Sequence, residues 1–208
     1  MNTKVTIPIF IRTFFLFPIF MIFVLIPIMI LIIIASFLPY GKLIATKLYE
    51  FFGWVGLKFV GIKLIVKGAE KIDLNKSYVV VSNHPSTLDI FTHITALPVS
   101  IRFLTKTELF RIPVFGRVLK VLGLPRIDRK NASANFEKIN DSISKDFHLP
   151  IVPVVTHNAH NLMRKGEVWL RSGEITIEIL NPIDNTEELS VEELTTKIYN
   201  LIDEKLKF

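Results

Sequence analysis

The sequence predicts an α/β domain, a mainly parallel sheet flanked by helices. It is carried on an N-terminal membrane helix or helical hairpin plus an interfacial helix. Three observations lead there. From Phe14 to Pro39 no side chain is charged, and Ser36 is the only polar one. From Ile62 onward, short runs rich in Val and Ile alternate with helical patterns, the order expected of βαβ units. The chain has 208 residues, room for one domain and a membrane segment. The expected division is 1–61 for the membrane-embedded and interfacial helices and 62–208 for the α/β domain.

The apolar run exceeds the ~20 residues needed to cross a bilayer core. It is too long for the ~7–15-residue core of a signal peptide, and no small-residue cleavage site follows it. Pro18 and Pro27 fall inside it, and each can kink a helix by removing a donor. A tilted single span and a bent pair that dips in and returns are both open. Lys4 and Arg12 precede the run and Lys42, Lys47 and Lys58 follow it, so charge gives no orientation. Over Tyr40 to Gly61, Leu43, Ile44, Leu48, Phe51, Phe52 and Val55 recur at helical spacing beside those lysines, Tyr49 and Trp54. This reads as a helix in the membrane interface. Packing on the protein's own domain would give the same pattern.

Beyond the membrane, Ile62 to Lys67 is a strand ended by Gly68, and Tyr78 to Val81 a second strand. Ser86 to Leu97 is a helix with Pro85 near its start and Pro98 closing it. Ile101 to Leu104 is a short strand, Pro113 to Leu122 a helix capped by Gly123, and Pro125 to Ile127 an extended piece. Asn131 to Asp146 has helical composition, and Pro150 to Thr156 is a buried-type strand. Together with Ile127 these could close a βαβ crossover. Glu167 to Leu170 and Glu174 to Leu180 alternate as a hairpin around Arg171-Ser172-Gly173. Ser190-Val191-Glu192-Glu193 is a capping box opening a C-terminal helix.

The chain has no cysteine, which excludes disulfides, thiolate metal sites and cysteine nucleophiles. Its formal net charge is +6, and the stretch from Arg102 to Lys130 carries eight basic against two acidic residues. Such a band attracts an anionic ligand or anionic headgroups, or is a solvated face beside a membrane. Nucleic acid fits poorly, since no recognition module is present. His157 and His160 follow the Pro150 strand, but two histidines without a third ligand make ordinary loop residues rather than a metal site. His93 reads as a helix-face residue and His148 as a loop residue, neither with an assigned role.

The chemistry gathers at Ser82-Asn83-His84-Pro85-Ser86-Thr87-Leu88-Asp89. A histidine at a strand end has its unperturbed pKa, about 6.5, near neutrality and can serve as a base. A carboxylate within reach fixes its tautomer and steadies the imidazolium. A bare His-x4-Asp is weak alone; the strand-to-helix junction strengthens it. Ser86 as a covalent nucleophile is disfavoured, because no serine elbow surrounds it.

Here the sequence resembles the glycerolipid acyltransferases, in particular the 1-acyl-sn-glycerol-3-phosphate (lysophosphatidate) acyltransferases. The first family block is the octapeptide above. The second resembles Lys106-Thr107-Glu108-Leu109-Phe110-Arg111-Ile112-Pro113-Val114-Phe115-Gly116, followed by Gly123-Leu124-Pro125-Arg126-Ile127-Asp128-Arg129. The fourth resembles Pro150-Ile151-Val152-Pro153-Val154-Val155. The resemblance implies a glycerol-phosphate acyltransferase-like fold and transfer of a fatty acyl group to a lysophospholipid hydroxyl. The co-substrate would be acyl-CoA or acyl-carrier protein, with no bound cofactor and no metal. His84 would be the base and Asp89 its partner. Asn83, Ser86, Lys106 and Arg129 would bind substrate, the last two at the acceptor phosphate. Partners would be membrane lipids, the lysophospholipid and the acyl donor, with the catalytic domain on the cytoplasmic face of a membrane.

The family's third block, Phe-Pro-Glu-Gly-Thr-Arg, has no counterpart. The chain runs from Asp146 through Phe147-His148-Leu149 straight into the Pro150 strand. A glutamate and an arginine expected to aid phosphate binding are therefore absent, and charge-assisted contacts of that kind are strong. The alternative is thus a catalytically impaired relative acting as a membrane-associated lipid-binding protein.

Overall fold

A computed structural model describes residues 7–127, 149–164, 166–184 and 189–207 of the chain. Its main sheet has four strands in the order β1-β6-β5-β2. β1 is Ile62–Lys67, β2 Val79–Ser82, β5 Ile151–His157 and β6 Gly173–Ile179. β1 pairs with β6 and β2 with β5 in parallel, while β5 and β6 meet antiparallel. A separate two-stranded parallel sheet joins β3 (Thr105–Lys106) to β4 (Arg126–Ile127). Along β6, Ile175, Ile177 and Ile179 alternate inward with no exposure, the period-2 signature of a half-buried strand. β5 is buried continuously from Val152 to Thr156, as a strand covered on both faces must be.

The apolar N-terminus is one helix, Ile7–Ala35, 29 residues long and apolar enough to cross a membrane. Two π-helical turns, Arg12–Leu16 and Met21–Leu25, stand just ahead of Pro18 and Pro27. A wider turn gives the proline ring room where it would strike the carbonyl four residues back. Among the described residues, neither proline breaks the helix. One stripe of it is buried, including Thr13, Phe20, Ile28, Ile32 and Ala35, while Phe15, Ile22, Phe23 and Ile34 stay exposed on the rest.

The next helix, Gly41–Val60, follows a turn at Tyr40 and folds back along the first. It packs on the domain through its small residues. A Cβ at Gly53 would lie 2.7 Å from Ile94 Cγ2, and one at Gly56 would collide with the Phe91 ring. Leu43, Phe51 and Trp54 remain exposed. The reading as a helix packed on its own domain therefore holds for the face of small residues, while large apolar residues point away from the domain on the other.

Four sequence expectations are corrected. The hairpin at Arg171–Gly173 does not form. Leu170 N donates to Thr13 Oγ1 (3.1 Å) and Trp169 sits edge-on to Phe14 (5.6 Å between centroids). The 167–170 segment thus binds the N-terminal helix, and β6 pairs with β1 and β5 instead. The strand placed at Ile101–Leu104 moves to Thr105–Lys106, because Ile101 and Phe103 pack into the core clusters. β4 pairs with β3 and β5 with β2, so Ile127 and Pro150 belong to different sheets; the Asn131–Asp146 helix lies outside the described residues. The Ser86 helix opens only at Asp89 and runs to Ala96. The C-terminal helix, Val191–Leu206, has the expected capping box between Ser190 and Glu193.

Candidate active site

β2 ends at Ser82, but its ladder continues in a side chain. Asn83 Nδ2 donates to the Thr156 carbonyl (3.0 Å), and the Thr156 amide donates to Asn83 Oδ1 (2.8 Å). The amide group replaces one backbone rung, so the main chain is free to turn away at His84. The turn is then tied down from within. Ser86 Oγ donates to the Met163 carbonyl (2.6 Å) and accepts from the Leu88 amide (3.1 Å). The Ser86 amide donates to Asp89 Oδ2 (3.0 Å), and Leu88 plugs the core. The result lifts His84 at the C-terminal end of the parallel β2–β5 pair, where open α/β sheets hold their ligands.

His84 Nδ1 lies 2.7 Å from Asp89 Oδ2, with the imidazole side chain 52% exposed and the carboxylate 2% exposed. A carboxylate oxygen accepts, so Nδ1 carries the proton and Nε2 keeps a lone pair. Burial pushes the Asp89 carboxyl above the usual carboxylate value, while the Ser86 amide and the His84 ring pull it back. Its other oxygen, Oδ1, has no hydrogen-bond partner among the described residues, which is why desolvation prevails.

His93, which has no assigned role in the sequence reading, is buried at the back of this turn. Its Nδ1 donates to the Asp89 carbonyl (2.7 Å) and its Nε2 faces Ser82 Oγ (2.9 Å). Burial lowers its pKa, against the opposing pull of Asp89. The only available signal was its spacing, four residues after Asp89, which on a helix puts the two side by side.

The structure thus brings together His84, Asp89, Asn83 and Ser86, although the polar side-chain atoms of Asn83 and Ser86 are engaged with the protein's own backbone. Lys106 is exposed on β3; Arg129 lies outside the described residues. Parts of the basic band are held locally. Arg126 lies over the Phe110 ring at 4.4 Å, Arg117 over Phe37 at 5.4 Å, and Arg102 donates to Thr46 Oγ1. A cation that the sequence reading missed is Arg164, exposed, whose backbone forms an antiparallel bridge with Ser86. His157 pairs with Glu178 (3.3 Å) and His160 is exposed on a one-turn helix, so they do not converge; His148 lies outside the described residues.

An exposed imidazole backed by a buried carboxylate, on a sheet joined to an apolar helix, has the geometry of a base beside an apolar surface. Residues 63–167 match the Acyltransferase family, and the chain belongs to that family. It is an O-acyltransferase of lipid metabolism. It is 25% identical over 191 residues to the 1-acyl-sn-glycerol-3-phosphate acyltransferase of Limnanthes alba, a match spanning 75% of this chain and 67% of that protein. To the human alpha enzyme of the same name it is 27% identical over 157 residues, 59% of this chain and 56% of that one. The crystal structure of the 1-acyl-sn-glycerophosphate (LPA) acyltransferase of Thermotoga maritima shares the fold, with TM-score 0.76 at 20% identity over 96% of this chain and 94% of that one.

Proposed function

We propose that the protein transfers a fatty acyl group from a thioester, acyl-CoA or acyl-carrier protein, to the free hydroxyl of 1-acylglycerol-3-phosphate. The product is phosphatidic acid, at an early step of phospholipid synthesis. The relatives' shared name supports the acceptor, and the carrying observation is the 2.7 Å contact between exposed His84 and buried Asp89. His84 Nε2 takes the hydroxyl proton as the oxygen attacks the thioester carbonyl. Asp89 holds Nδ1–H and stabilises the imidazolium as it forms. The new C–O bond closes as the C–S bond breaks, and the thiolate leaves with the proton from His84. No cofactor enters these steps.

Lys106, with Arg129, supplies positive charge for the acceptor phosphate, and Arg164 adds a cation beside the turn where the third family block is absent. Asn83 and Ser86 hold the turn that presents His84. Residues 1–61 form the membrane unit: the outward face of the Ile7–Ala35 helix and the exposed Leu43, Phe51 and Trp54 enter lipid on one side of the 62–208 domain. On this reading the site lies near the bilayer surface, where the lysolipid acceptor resides, with the domain on the cytoplasmic face.

The test is thiol release from palmitoyl-CoA with 1-oleoyl-lysophosphatidate, using full-length protein in detergent. General base catalysis contributes ~10²–10⁴-fold, so His84→Ala should lose at least about a hundredfold in kcat with its melting temperature unchanged. A folded His84→Ala protein with wild-type turnover would refute the base assignment.

A further inference from the structure

Six residues, 83–88, arch between the end of β2 and the helix that starts at Asp89. The arch carries the base, so its two feet set where the base points. Outside, the arch is tied to other elements: Asn83 to Thr156 and Ser86 to Met163. Inside, one side chain spans its two feet, Ser82 and Asp89. The His93 ring, 4% exposed, reaches the Asp89 carbonyl with Nδ1 at 2.7 Å and Ser82 Oγ with Nε2 at 2.9 Å. A carbonyl oxygen only accepts, so Nδ1 carries the proton, and in the neutral ring Nε2 shares the single Ser82 hydroxyl proton with the Asn83 carbonyl, which Ser82 Oγ reaches at 2.8 Å. Thr92 Oγ1 adds a second donor to the same Asp89 carbonyl (3.1 Å). The Phe103 ring packs edge-on at 6.4 Å and closes the pocket.

We propose that His93 is a positioning residue for acyl transfer: as a rigid crosspiece between Ser82 and Asp89, it fixes the angle at which the Asp89 carboxylate meets His84. The inference rests on His84 acting as the base. A neutral ring is the form this role needs, because His84 becomes an imidazolium during turnover and a second cation behind Asp89 would oppose it. Burial and the nearby His84 both favour the neutral form. A flat five-membered ring with donors and acceptors at opposite corners holds that span with two rotatable bonds, and small displacements of a catalytic group can cost ~10²-fold.

The experiment uses the full-length protein in detergent and the same palmitoyl-CoA assay. His93→Phe keeps the ring's bulk and removes both contacts; His93→Asn restores a donor at the Nδ1 position; Ser82→Ala cuts the other foot. Expected are a fall in kcat of about tenfold or more for His93→Phe, with KM for both substrates within about twofold. The acid limb of its pH–rate profile, which reports the base, should move. His93→Asn should recover part of kcat, Ser82→Ala should lose several-fold, and the Ser82→Ala/His93→Phe pair should be no worse than His93→Phe alone.

A folded His93→Phe protein with wild-type kcat and acid limb overturns the proposal, as does an effect confined to KM. Should His93→Phe fail to fold, Ser82→Ala decides, and wild-type turnover in that variant is fatal. Wild-type protein with no thiol release, or an active His84→Ala, removes the base assignment and this inference with it. An inactive His84→Ala beside unaffected His93→Phe and Ser82→Ala removes this inference alone.

Discussion

The turn that carries His84 and the helix that precedes the domain are held in opposite ways. Around the turn, Asn83, Ser86, Asp89 and His93 are fixed by directional hydrogen bonds of 2.6–3.1 Å. Along the helix the contacts are rings. Phe20 lies 5.8 Å from Phe52, 5.1 Å from Phe59 and 6.3 Å from Phe91, centroid to centroid. Hydrogen bonds fix angles and fail abruptly when one partner is lost. Apolar packing fixes volume and loses stability roughly in proportion to what is removed. Under the proposed function the first region sets chemistry and the second anchorage, and substitutions should separate the two.

The largest effect should come from Asp89→Asn, which keeps the shape but cannot favour Nδ1–H with a full charge. A drop of roughly a thousandfold in kcat is expected with little change in melting temperature; steady-state kinetics and a thermal melt on the same sample check it. Phe20→Ala should do the reverse. It should cost about 3 kcal/mol of stability, seen by denaturant titration, while the folded fraction keeps its kcat.

Asn83→Ala should blur the distinction. Losing a paired side chain leaves the buried Thr156 amide and carbonyl without their rung, worth about 2 kcal/mol. Because that rung also releases the turn, kcat should fall along with stability. Turnover intact in a destabilised Asn83→Ala protein would show that the arch tolerates a lost tie.

The smallest effect is a pH dependence. Burial holds His93 below the ordinary histidine value of 6.5, so the unfolded chain binds a proton that the folded chain refuses. Stability from this group is complete above about pH 6.5 and declines as pH falls below it, by at most about 1.4 kcal/mol per pH unit. Asp89 works the other way: its raised pKa means the folded state gains a proton first on acidification, which removes a penalty. Melts of wild type and His93→Phe between pH 8 and 5 should diverge only below about 6.5, with the variant flatter.

Much of this was legible in residue order. The apolar run, β1, β2 and β5, the Gly123 stop and the Ser190 capping box follow from local period and turn chemistry, and His84 with Asp89 followed from their place at a strand end. What was not legible depends on partners distant in sequence. Glu167–Leu170 alternates as a strand would, but Thr13 and Phe14 claim it. His93 looked like a helix-face residue because nothing local shows that Ser82 stands opposite its ring. The glycines at 53 and 56 were the missed signal for helix docking, since only a residue without a Cβ lets Phe91 and Ile94 approach so closely.

By itself, then, the sequence determined an apolar anchor, an α/β alternation and a histidine–carboxylate pair, because each is written in residues within one turn or one strand of each other. Tertiary structure decided which strands pair, which face of the Gly41–Val60 helix meets the domain, and what holds His84 in place. Those outcomes depend on long-range contacts such as Asn83 with Thr156 and Ser86 with Met163. Short-range preference cannot choose among them, since it is the closing of the whole core that selects one set of distant partners over the rest.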